Sequence, residues 1–135
     1  MNELNTYFRT LLNNSGITYQ GSVIPVHFQF DQVSGNSAYI VGSIFTTQPQ
    51  QLEVGFTAKQ EIQGYYNVAV YLPATDMGLD WAVNNISDQI SIAFPRGSAV
   101  LECGKIEITD IETITPTRQD GQVLAVMRVN YRAVI

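Results

Sequence analysis

The stretch GYYNVAVYLPATDMGLDWAVNNISDQISIAF, residues 64–94, carries two periodicities and the switch between them. In its first part the side chains alternate. Ile62 (just upstream), Gly64, Tyr66, Val68 and Val70 fall on one face, and Tyr65, Asn67, Ala69 and Tyr71 on the other. A period of two over this length predicts a strand, which Pro73 ends because it has no N–H for the ladder. Beyond a polar turn the spacing changes to three and four. Leu79, Val83, Ile86, Ile90 and either Ala93 or Phe94 make one apolar stripe, opposite Asp80, Asn84, Asn85, Asp88 and Gln89. That pattern predicts an amphipathic helix, capped by Thr75 or Asp76 and stopped by Pro95 and Gly97. Trp81 falls beside the stripe and is expected to anchor the edge of the core.

Working upstream, Leu4, Tyr7, Phe8, Leu11 and Leu12 share one face of a helix that Asn2 is placed to cap and that Asn13, Asn14 and Gly16 end. In SVIPVHFQF, residues 22–30, Ile24, Val26, Phe28 and Phe30 alternate with Pro25, His27 and Gln29. Pro25 suits a sheet edge or the start of pairing. Residues 37–47, SAYIVGSIFTT, read as a further strand. Gln48 to Phe56, with three Gln around a Pro, reads as a loop or a long hairpin tip. Downstream, KIEITDIETIT and QVLAVMRVNYRAVI are two strands joined at Asp120-Gly121, a pair that tolerates positive φ in a tight hairpin. Ile106 and Ile108 share a phase that Ile111 breaks, so a bulge is expected near Asp110. The order is helix, three strands, helix, two or three strands. The expected fold is α+β, a mainly antiparallel sheet with two helices packed on one face.

At 135 residues, 45% of them hydrophobic, the chain has the size and composition of one domain with a real core. Only 14% of residues are charged, well under the roughly 25% usual for soluble domains. Neutral polar residues or contact with partners must therefore replace charge over part of the surface. Seven Lys and Arg against twelve Asp and Glu leave a net charge of −5, and the basic residues are scattered. A surface that grips phosphates needs clustered cations, so specific nucleic-acid binding is disfavoured. No apolar run reaches membrane-spanning length, and no basic-then-apolar leader opens the sequence. The single Cys103 permits no internal disulfide. The chain is expected to be a soluble, intracellular, single domain over residues 1–135.

Chemistry is sparse. His27 is the only histidine, sits on the polar phase of a strand, and has no nucleophile motif to serve. Cys103 in LECGKI reads as a small half-buried residue. One Cys and one His cannot build a structural zinc site. Asp76 with Asp80, and Asn84 with Asp88, are spaced like any solvated helix face. Phosphate- and dinucleotide-binding glycine patterns are absent. No catalytic residue, metal or cofactor is expected. Tyr65, Tyr66 and Tyr71 gather on one strand, but stacking of single-stranded nucleic acid would want flanking Arg and Lys, so packing or a subunit contact is the better reading.

The order of these parts resembles the tail terminator (tail completion) proteins of long-tailed bacteriophages. The likeness lies in the N-terminal helix, in IPVHFQF, and in AYIVGSIF followed by a variable polar loop. It continues through Gly-x-x-x-Val-x-Val-Tyr-x-Pro with its helix ending at Phe94, and into the closing hairpin with its final Val-Asn-Tyr-Arg. It spans nearly the whole chain and rests on structural rather than catalytic motifs. The resemblance implies a virion protein, assembled in the host cytoplasm, that forms a hexameric ring at the head-proximal end of the tail tube. The ring would end tube polymerisation and join the tail to the head–tail connector. Its partners would be further copies of itself, the tube protein and the connector, with DNA passing through the lumen without specific binding and no membrane involved. No motif assigns the lumen-facing residues.

Two other readings stand beside this one: another ring protein of the same particle, either a tube subunit or a connector, and a small-ligand-binding or enzymatic α+β domain with an apolar pocket. In the ring reading the alternating Leu52, Val54 and Phe56 would order on a neighbour. They stand with Tyr65 and Tyr71 as candidate interface residues, and the Pro25 strand and the last strand as edges able to extend a sheet between subunits.

Overall fold

A computed structural model describes residues 2–29, 37–46, 50–51, 60–102, 104–119 and 121–135. Its elements in chain order are α1 (Asn2–Asn13), β1 (Thr18–Tyr19), β2 (Ser22–Val23), β3 (Val26–Phe28), β4 (Tyr39–Thr46), β5 (Gln50–Gln51) and β6 (Gln60–Pro73), then α2 (Leu79–Ala93), β7 (Gly97–Leu101), β8 (Gly104–Gln119) and β9 (Gln122–Val134). The main sheet runs β3-β4-β6-β9-β8-β7, and β5 pairs with the start of β6 beyond the end of β4. Every pairing in it is antiparallel except β3 with β4. This is the expected α+β class.

Alternation puts Ile62, Tyr66, Val68, Val70 and Leu72 of β6 beside Met127, Val129 and Tyr131 of β9, all buried on the face that the helices cover. Phe8 of α1 stacks on Tyr66 with ring centroids 4.9 Å apart. It also meets Tyr131 at 5.1 Å and Phe94, at the end of α2, at 6.2 Å. One aromatic side chain thus joins both helices to two neighbouring strands, and its full burial is worth roughly 1.5–3 kcal/mol. Tyr66 reaches this place by leaning across Gly42 of β4. A Cβ there would overlap the Tyr66 hydroxyl and lie 2.7 Å from Leu12 Cδ2, so only glycine leaves the ring its seat.

Several local details depart from the sequence reading. The last strand is not an edge: β9 lies between β6 and β8 and pairs with both along almost its whole length. Among the described residues the free edges are β3 and β7. β3 agrees with the reading of Pro25, whose carbonyl accepts from Ile40 N–H at 3.0 Å. Neither Thr75 nor Asp76 caps α2. Gly78 does, in the left-handed conformation at φ 69°, with no side-chain cap bond. Asp76 instead accepts a hydrogen bond from Tyr19 Oη at 2.6 Å. The first helix includes Asn2 rather than following it. Trp81 is no core anchor, being 72% exposed. The bulge near Asp110 is present between Ile108 and Asp110, and a second irregularity between Ile114 and Thr117 brackets Pro116.

The short hairpin β1–β2 is also additional to that reading. Gln89 of α2 holds it as a neighbouring strand would. Its Oε1 accepts from Thr18 N–H at 2.8 Å, and its Nε2 donates to Thr18 carbonyl oxygen at 3.0 Å and to Asn85 Oδ1 at 2.8 Å.

Candidate interaction surface

The other face of the sheet is set by the opposite phase of the same strands, and among the described residues neither helix lies over it. Register arranges its side chains in four rows across β4, β6, β9 and β8. Tyr39, Tyr71, Leu124 and Thr117 make the first; Val41, Ala69, Val126 and Ile114 the second. Ser43, Asn67, Arg128 and Glu112 make the third; Phe45, Tyr65, Asn130 and Asp110 the fourth. One end of the face is therefore apolar. The other is aromatic over β4 and β6 and hydrogen-bonding over β9 and β8.

Tyr39 and Tyr71 are direct cross-strand neighbours and stack at 4.6 Å with planes 16° apart. Phe45 and Tyr65 do the same at 5.1 Å and 25°. Such pairs contribute about 0.5–1.5 kcal/mol beyond their buried area and hold the two rings of each pair face to face. Most of these rings are half-buried, and Phe45 is exposed. Burial, then the neighbouring Tyr71, pushes the Tyr39 hydroxyl above its usual range. His27 stands edge-on to Tyr39 at 6.1 Å, extending the aromatic row onto the edge strand β3.

The polar end is mostly self-satisfied. Asn130 Nδ2 donates to Asp110 Oδ1 at 3.0 Å and to Glu112 Oε1 at 2.9 Å. Arg132 pairs with Glu61, whose carboxyl is held below its usual range by hydrogen bonds from Gln63 and then Arg132. Arg128 differs. Its guanidinium lies 4.8 Å from the Tyr65 ring centre, while its Nε is buried without an acceptor among the described residues. A buried N–H without a partner costs about 1–3 kcal/mol unless something supplies an oxygen.

Of the five residues marked from sequence, Tyr65 and Tyr71 lie on this face, six residues apart along β6, each stacked on its own partner. Leu52, Val54 and Phe56 lie outside the described residues, as does Cys103. Tyr39, Phe45 and Arg128 were missed. The signal for them was available in the phase of their own strands, but only once the register with β6 was known. No group of three or more His, Cys, Asp or Glu able to hold a metal occurs among the described residues. Among those residues, too, no helix is long and apolar enough to cross a membrane.

No family model and no curated protein matches this chain. Solved structures do share its fold. One of them, named only by a serial identifier, aligns with a TM-score of 0.75 at 14% sequence identity, covering 98% of this chain and 94% of its own. At that identity the likeness shows the fold and nothing about activity.

Proposed function

We propose that this chain is the subunit of a bacteriophage tail terminator, a hexameric ring that caps the head-proximal end of the tail tube, stops tube growth and joins the tail to the head connector. The observation that carries the reading is the open sheet face. It holds two stacked aromatic pairs and an apolar row on a chain whose charged fraction is only 14%. A structural subunit that is covered by copies and partners needs such a face; an isolated domain gains nothing from leaving one uncovered. The sequence resemblance supplies the kind of assembly. Among the described residues, the edges β3 and β7 leave unpaired backbone groups on opposite sides of the sheet, two unlike patches that a head-to-tail ring contact could use. A net charge of −5 suits a passage through which DNA slides without being gripped.

The test is to assemble particles without this protein and to image them by electron microscopy. Tails of abnormal length, unjoined to heads, are expected, and the complete particle should hold one ring of this chain. Normal tails attached to heads would overturn the reading. Many stacked rings per particle would assign the chain to the tube instead.

A further inference from the structure

Past Ile108, the last residue of β8 paired with β7, the outer edge of the sheet passes to β8 itself. From Thr109 to Gln119 that side of the strand has no ladder partner among the described residues, whereas β7 spans five residues and β3 three. The run is rich in β-formers, Ile111, Thr113, Ile114 and Thr115 among them. A long edge of that composition is a template for a further strand. Three features interrupt it. Ile108 and Asp110 face Tyr131 and Asn130, consecutive residues of β9, so Thr109 is an extra residue. Its hydroxyl lies 3.1 Å from Asp110 Oδ1 and 3.3 Å from the Asn130 carbonyl oxygen. Further on, Ile114 and Thr117 face Val126 and Leu124, so Thr115 and Pro116 both stand opposite Ala125, and Pro116 has no N–H. Between these bulges Asn130 Nδ2 donates to Asp110 at 3.0 Å and to Glu112 at 2.9 Å, setting two carboxylates side by side on the edge strand.

We propose that these features form a guard that stops β8 from recruiting a strand of another copy of this chain. Each removes a different requirement of strand addition. The bulges break the even spacing of the outward backbone groups, so a regular strand can match only the Asp110–Ile114 run between them. Over that run a second β8 laid antiparallel about Ile111 brings Asp110 opposite Glu112, and a parallel one in register brings each acid beside its own copy. Like charges meet in both cases, which is destabilising. Pro116 withholds a donor just beyond. The guard leaves copies to meet through other surfaces, so it stands or falls independently of the ring reading.

The test straightens the edge in the full chain. Asp110→Thr with Glu112→Thr removes the carboxylates, Pro116→Val restores the N–H, and a triple variant does both. Asp80→Thr with Asp88→Thr removes two exposed carboxylates of α2, changes the net charge equally and serves as the control. Circular dichroism and urea unfolding confirm that each variant is folded, and the partial variants carry the test if the triple one is not. Thioflavin T fluorescence and electron microscopy separate sheet fibres from closed rings, and hydrogen exchange reads the amides of Ile111–Ile114. The triple variant should form fibres where the parent and the control form none, the partial variants should do so more slowly, and exchange at those amides should slow several-fold in the fibre. Variants that stay as free of fibres as the parent overturn the guard. Fibres that form equally in the parent or the control, or that leave the Ile111–Ile114 amides exchanging as in the monomer, overturn it as well.

Discussion

Tyr65 and Tyr66 are adjacent in sequence and belong to different problems. Tyr66 is fully buried beneath both helices, stacked on Phe8, with a hydroxyl that has no hydrogen-bond partner among the described residues. Tyr65 points to the open face, stacked on Phe45 beneath the Arg128 guanidinium. Similar ring stacking is sealed beneath the helices on the first face and left half-exposed on the second, which is the contact surface of the proposed ring. Burial separates the two tyrosines, and if the proposed ring uses the open face, mutations should separate them in the same way.

The largest stability loss is expected on the helix side. Phe8→Ala removes the ring that joins Tyr66, Tyr131 and Phe94, and should cost about 3–5 kcal/mol in urea unfolding. Gly42→Ala forces Tyr66 off its seat and should cost about 1–3 kcal/mol, with loss of near-ultraviolet dichroism. On the open face the order of effects reverses. Tyr71→Ala breaks the stack with Tyr39 and should lower the isolated chain's stability by only about 0.5–1.5 kcal/mol, yet abolish assembly in sedimentation. Ring formation unaffected by Tyr71→Ala would detach the open face from assembly.

A titration sharpens the contrast further. Burial, and then the bond to Asp76, raises the Tyr19 hydroxyl from 10.0 to about 12. Burial raises Tyr66 and Tyr131 as well. A raised folded pKa means that the unfolded chain loses its proton first. The stability these groups contribute is present in full below about pH 10 and is lost as pH rises from there through about 12 and beyond. Thermal melts should fall over that range, and Tyr19→Phe should fall less steeply. The smallest effect belongs to Tyr66→Phe. Removing a buried hydroxyl without a partner should leave stability within about 1 kcal/mol of the parent or raise it.

The sequence made faces legible, and partners much less so. The alternation of β6 assigned both of its faces correctly, the α2 stripe identified Val83, Ile86 and Ile90, and the broken phase at Ile111 located a bulge. Each is a local pattern imposed by the geometry of one element. Strand order is not local, which is why β9 passed for an edge. Its unbroken burial at Val123, Ala125, Met127, Val129, Tyr131 and Ala133 becomes a sign of centrality only beside the partners. Pro116 could have located the second irregularity in β8, since it brings no N–H to the ladder. The exposure of Trp81 had no local sign, because the stripe fixes which residues face inward but not how far a neighbouring wall reaches. Of the candidate surface, Tyr65 and Tyr71 were readable from phase, whereas Arg128 needed the pairing of Asn67 with it.

The place of β9 also sets the timing of folding. As the chain leaves the ribosome, both helices and all the other strands emerge before the strand that lies between β6 and β8. Until Gln122–Val134 arrives, β6 has one long side without its partner and β8 has no neighbour but β7. Closing the sheet then means inserting a 13-residue strand between two existing ones, a slow step of high sequence separation during which the exposed backbone is open to other chains. A nascent chain stalled before Gln122 would carry most of the core residues and no continuous sheet to lay them on.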